Sequence, residues 1–125
     1  MPSVADLEHR NEVQLVGRVA ADPVETELPS GDRVVAVRLV VRRPEDANGR
    51  RRRAATAGPL RPAVDTLECS AWPAGLRRTV KRWEAGDVVE VSGALRRRFW
   101  RAAGGPQSRY EVELTAARRV ARDGS

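Results

Sequence analysis

The chain has 125 residues, 41% hydrophobic and 32% charged, with 23 Lys and Arg against 17 Asp and Glu for a net charge of +6. That length suits one domain. No apolar run approaches the roughly 18 residues of a membrane-spanning helix, and residues 1–10, which include Asp6 and Glu8, lack the apolar stretch of a secretory signal, so a cytoplasmic location without a membrane partner is expected.

Cys69 and His9 are the single cysteine and histidine. This argues against an internal disulfide, a metal cluster and a Cys–His catalytic pair. No carboxylate pair or Gly-rich phosphate loop points to an enzyme, and no cofactor or metal is expected. The basic surplus favours a polyanionic partner, because phosphate neutralisation supplies affinity independent of sequence.

Residues 1–10 read as an N-terminal extension. Between Asn11 and Ala20, Val13, Leu15, Gly17 and Val19 alternate with polar neighbours, the mark of a half-buried strand. Asp22-Pro23 breaks it, and Pro29-Ser30-Gly31-Asp32 reads as a turn. A second strand, Arg33 to Arg42, puts Val35, Val37, Leu39 and Val41 on one side. Residues 42–63 then follow neither period and read as a long basic loop, with Asn48-Gly49 and Gly58-Pro59 as breakers. From Arg42 to Arg61 there are seven Arg against Glu45 and Asp46. Long loops of this kind inside compact domains are usually functional or disordered. The run Arg50, Arg51, Arg52, Arg53 suits either a strand-wrapping arm or a solvated charge run.

A third strand spans Val64 to Trp72, with Leu67, Cys69 and Ala71 on one face and Thr66, Glu68, Ser70 and Trp72 on the other. Cys69 reads as a buried, inert thiol. Pro73 suits a helix start. Leu76, Val80 and Trp83 form one apolar stripe of a short helix that Gly86 is expected to end as its C′ residue. The fourth strand, Val88 to Arg101, carries Val89, Val91, Gly93 and Leu95 on one face and Ala94, Arg96, Arg98 and Trp100 on the other. Phe99, in line with Leu95, is expected to cover the barrel or a subunit contact. Gly104-Gly105-Pro106 turns the chain. In a fifth strand Tyr110, Val112 and Leu114 alternate with Glu111 and Glu113. Residues 121–125 are a short end. Five strands with one helix between the third and fourth give an all-β fold, the five-stranded Greek-key barrel of the oligonucleotide/oligosaccharide-binding (OB) type, spanning residues 11–120. A helix in that slot plugs the barrel bottom, so Trp83 is expected in the core.

Single-strand binding needs cations along the phosphates and aromatic faces for unstacked bases. The chain has only five aromatic residues. Trp72 and Trp100 fall opposite the apolar stripes of their strands, and Arg96, Arg98 and Arg101 flank Trp100. Arginine adds a planar group that stacks on bases or forks onto phosphate. The candidate nucleic-acid contacts are therefore Trp72, Trp100, Arg96, Arg98 and Arg101, with Arg42, Arg43 and Arg50 to Arg53 on the loop side.

In their order, these segments resemble the bacterial single-stranded DNA-binding proteins. The resemblance rests on Asn11-Glu12-Val13-Gln14-Leu15-Val16-Gly17-Arg18-Val19 with Asp22-Pro23, on Thr66-Leu67-Glu68-Cys69-Ser70-Ala71-Trp72, on Gly86-Asp87-Val88-Val89-Glu90-Val91-Ser92-Gly93-Ala94-Leu95, and on Arg109-Tyr110. It implies base stacking by Trp72 and Trp100 and backbone contacts from Arg96 and Arg98. It also implies a homotetramer, or a dimer, with first strands pairing across an interface. Three departures stand out. Thr66 replaces an aromatic, Glu68 replaces a basic residue, and the sequence closes on Ala121-Arg122-Asp123-Gly124-Ser125 where relatives continue into an acidic-tipped tail. Partners that read such a tail are not expected. The expected function is non-catalytic binding of single-stranded DNA, without sequence preference, in replication, recombination or repair. An RNA-binding or primosome-type OB subunit, or a protein-interaction subunit with vestigial DNA binding, is the alternative.

Overall fold

A computed structural model describes residues 8–44 and 63–122. Its strands are β1 (Val13–Val19), β2 (Val24–Glu27), β3 (Arg33–Arg42), β4 (Val64–Ala71), β5 (Val88–Ala102) and β6 (Gly105–Ala121), with helix α1 (Ala74–Lys81) between β4 and β5. The sheet runs β1-β5-β6-β4-β3-β2, and pairing of β1 with β3 at Arg18↔Val40 and Val19↔Leu39 closes five of the strands into a barrel. The β4–β6 pairing is parallel and the others are antiparallel. This is the OB-type barrel expected from the strand order.

The alternation of β-branched residues explains the closure. Val35, Val37 and Leu39 of β3, Cys69 and Ala71 of β4, Val89 and Val91 of β5, and Val112 and Leu114 of β6 all point inward and are buried. Two glycines permit the tight approaches that a barrel requires. A Cβ on Gly93 would sit 2.2 Å from the Glu113 carbonyl oxygen, and one on Gly17 would sit 2.7 Å from that of Val40. Gly93 also borders the register shift between β5 and β6, where an extra residue bends the strand.

Three features depart from the sequence expectations. The short strand β2 was not foreseen: four residues are too few to display a period, and Val24–Glu27 becomes a strand only because β3 offers its edge, from Val24↔Ala36 to Glu27↔Arg33. The last strand begins at Gly105, because the hairpin turns over Ala103-Gly104 alone and β5 and β6 pair from Ala102↔Gly105 onward. The helix stops at Lys81 with Arg82 as C-cap, short of Gly86. The Arg82 and Trp83 amides bond to Thr79 and Val80, three residues back, tightening the last turn. The buried Asp87 carboxylate then accepts the Glu84 N–H at 2.9 Å, and Gly86 donates to the Val19 carbonyl at 2.8 Å. Trp83, only 3% exposed, still lies in the core beneath the helix with Val80. Beyond β6, Arg122 holds Glu84 at 2.9 Å and Asp87 at 3.3 Å.

Glu25 ties β2 to the helix and to β3. Its carboxylate meets Lys81 Nζ at 2.9 Å and Arg77 and Arg33 at 3.6 Å each. The Lys81 hydrogen bond, with help from the charges of Lys81, Arg33 and Arg77, lowers its pKa below the usual carboxylate value. A depressed carboxylate stabilises the fold above its unfolded pKa of about 4.3, and that contribution is lost as pH falls through the folded value. Glu25→Gln is therefore expected to lower the thermal midpoint at neutral pH, with the gap to wild type closing below about pH 4. Paired melts across that range check it; a gap that persists in acid would assign the effect to packing.

Candidate nucleic-acid interface

Residues that alternate away from the barrel core converge on one outer face. β3 contributes Val34, Ala36 and Arg38, and β4 contributes Glu68, Ser70 and Trp72. The β5–β6 hairpin contributes Arg96, Arg98 and Trp100 beside Arg109, Glu111 and Glu113. The register sets these rows side by side, through Arg38↔Glu68, Ala36↔Ser70, Ser70↔Glu113, Arg96↔Glu111 and Arg98↔Arg109. Between them lies a groove of about 610 Å³ lined by Trp72, Arg98, Trp100, Arg109 and Glu111, among others.

The two tryptophans expected to stack bases thus line one groove. Each has a guanidinium over its ring: Arg98 lies 5.4 Å from the Trp72 centroid and Arg109 lies 5.7 Å from the Trp100 centroid, a cation–π arrangement. Trp100 is 45% exposed, and Trp72 is half-buried. The Arg77 guanidinium donates to the Trp72 carbonyl and fixes the strand end from the helix side.

Carboxylates restrain the arginines. Arg98 Nη2 donates to Glu113 at 2.7 Å, and its Nε lies 3.2 Å from Glu111, which is 7% exposed. Burial opposes the charge on Arg98, but the hydrogen bonds and charges of Glu111 and Glu113 outweigh it and raise the pKa. Arg96 reaches Glu113 at 3.5 Å. Glu68, noted above as a departure, lies on this face and is paired with Arg38 at 2.8 Å. Beneath it, the Cys69 thiol is pushed up to about 12, by burial first and then by Glu68 and Glu111, as suits an inert core residue.

The remaining candidates lie apart. Arg101 falls on the opposite side of β5 from Trp100, paired in register with Pro106. Arg42 is exposed at the end of β3, opposite Val64. Arg43 is held by Asp65 at 2.7 and 3.0 Å, a contact that raises its pKa. Arg50, Arg51, Arg52 and Arg53 lie outside the described residues.

Of the two roles expected of Phe99, the structure corrects one: at 71% exposed it does not cover the barrel. Past Leu95↔Val112 the hairpin outruns the core, so the inward alternation continues over solvent. There the Arg97 guanidinium lies 5.1 Å from Phe99 and 5.5 Å from Tyr110. Sequence reasoning also missed Arg109 and Glu111 as groove residues, and Arg38 and Glu113 as the charged partners of Glu68 and Arg98 on the same face. The alternation of β3 carried the signal for Arg38. The others required the register of the hairpin, which depends on a two-residue turn.

A search of curated proteins finds no match to this chain. Among solved structures, Plasmodium falciparum SSB in complex with ssDNA is similar at a TM-score of 0.70 with 20% sequence identity, covering 96% of this chain and 99% of that one. Such a likeness supports the barrel fold. The family model for single-strand binding proteins matches residues 10–121, nearly the whole chain. The chain belongs to the single-strand binding protein family.

Proposed function

We propose that the protein binds single-stranded DNA along the groove of the outer barrel face, with Trp72 and Trp100 stacking on bases and Arg96 and Arg98 meeting phosphates. The observation that carries this reading is the convergence of both outward tryptophans on one arginine-bearing groove. It agrees with the single-strand binding family, whose members bind rather than catalyse, and with the single strand bound by the structurally similar Plasmodium protein. Every base has a π-face, so stacking accepts all sequences broadly. The same reading places the protein on exposed single strands in the cytoplasm, at the nucleoid, during replication, recombination or repair. Arg42, Arg101 and the Arg50–Arg53 run are proposed as outlying phosphate contacts. A homotetramer or dimer built through β1 accompanies it, supported by Val16, an apolar residue 54% exposed on that strand; light scattering measures the assembly.

Titration with a thymidine homopolymer tests the binding. Tryptophan fluorescence should be quenched. The logarithm of affinity should fall linearly with the logarithm of salt concentration, by about 0.7 per phosphate neutralised. Unquenched fluorescence, or an affinity indifferent to salt, would overturn the assignment of this face.

A further inference from the structure

The β5–β6 hairpin carries aromatic residues in both phases of its alternation. Trp100 lines the groove in phase with Arg96 and Arg98. Arg97, Phe99 and Arg101 take the other phase and pair in register with Tyr110, Ser108 and Pro106, respectively. Phe99 is 71% exposed and Tyr110 is 60% exposed, so two aromatic rings stand in water where the hairpin has outrun the core. Contiguous apolar surface of this kind marks a binding site when polar residues rim it. The Arg97 guanidinium lies 5.1 Å from the Phe99 centroid and 5.5 Å from that of Tyr110. Ser108 Oγ fixes it there, accepting from its Nε at 3.3 Å and from its Nη2 at 3.1 Å.

Charge separates this face from the groove. In the groove, Arg98 is divided between Glu111 and Glu113. From Leu95 to Tyr110 the hairpin contains no carboxylate, and the groups that hold Arg97 are a hydroxyl and two rings, all neutral. Two open rings beside a guanidinium that keeps its charge offer what a single strand requires, π-faces for unstacked bases and a cation for the phosphate between them. A second copy of the same face is the poorer occupant, because it would bring Arg97 and Arg101 against like charges. Phe99 also borders the groove beside Trp100, so the two faces meet at its mouth. We propose that Phe99 and Tyr110, with Arg97 and Arg101, form a second stacking surface, onto which a single strand continues around the hairpin after it passes Trp100. The proposal rests on the single-strand reading above and lengthens the path that reading gives the strand.

The test compares thymidine oligomers of about 5 and about 15 nucleotides, near the two ends of the span that one OB barrel covers. The longer oligomer should bind the native protein more tightly. In a Phe99→Ala, Tyr110→Ala double variant the ratio of the two affinities should shrink about tenfold, the loss of at least one stacked base. An unchanged ratio overturns the second surface and leaves the groove intact; if light scattering then shows the variant's assembly altered, the face is a contact between copies. Failure of both oligomers to bind the native protein overturns both readings. Photocrosslinking decides the matter on the native protein if the variant misfolds or changes its assembly. The longer oligomer, with iodouracil in place of thymine, should crosslink on irradiation to Tyr110 as well as to the tryptophans. A crosslink map confined to Trp72 and Trp100 overturns the second surface, whereas one confined to Phe99 and Tyr110 supports it and overturns the groove.

Discussion

Trp83→Ala should destabilise the protein by about 3–5 kcal/mol, the usual cost of emptying a buried tryptophan site. Trp83 belongs to the same buried cluster as Val80 of α1 and the inward valines of β3 and β5. It follows the last helical turn, where the chain is already tied by backbone bonds to Val80 and by the Asp87 carboxylate, so the neighbours have little freedom to collapse into the space. A domain of this size has about 5–15 kcal/mol in total. The thermal midpoint should therefore fall by about 10–20 °C. Trp83→Phe, which keeps most of the volume, should lose much less. Thermal and urea melts of both variants measure this, and a midpoint within about 2 °C of wild type for Trp83→Ala would place the residue outside the core.

The sequence exposed the parts of this molecule that depend on local period. Val35, Val37 and Leu39 alternate without interruption, and that alone puts Arg38 outside and closes the core. Trp72 and Trp100 could be placed on the outer face because each follows such a stripe in its own strand. What stayed hidden depends on partners distant in the chain. Val24–Glu27 is a strand only through the edge of β3. Phe99 keeps the inward phase of Leu95, but the barrel ends before reaching it, and phase carries no information about where a core stops. Glu111 and Glu113 were visible as the outward residues of the last strand. Their pairing with Arg98 needed the register that the Ala103-Gly104 turn imposes across the hairpin. Two of the arginines that flank Trp100 in sequence, Arg96 and Arg98, are therefore already held by carboxylates. On the proposed reading, binding along this face exchanges ion pairs for phosphate contacts, which lowers its net gain from charge and leaves more of the affinity to stacking.

That balance makes the tryptophans the most sensitive positions for binding. Trp100→Ala and Trp72→Ala should each weaken binding to a thymidine homopolymer by about 1–3 kcal/mol, roughly tenfold to a hundredfold in Kd. Trp100 is the more exposed, at 45%, and stands on the hairpin beyond the core, so its removal should leave thermal stability unchanged. Trp72 is half-buried under Arg98. Its loss leaves that guanidinium held by Glu111 and Glu113, and its half-buried ring offers less face to a base, so the measured penalty should be the smaller of the two. Because both rings line one groove, the double variant should lose less or more than the sum, and a double-mutant cycle reads the coupling directly. Fluorescence quenching divides the same way: Trp100→Ala removes the larger share, while Trp83→Phe keeps it, since a buried indole meets no base. If Trp83→Phe abolished the quenching and Trp100→Ala preserved both quenching and affinity, the strand would have to pass over another face of the barrel. The exposed cluster of Arg97, Phe99 and Tyr110 on the hairpin would then be the next surface to mutate.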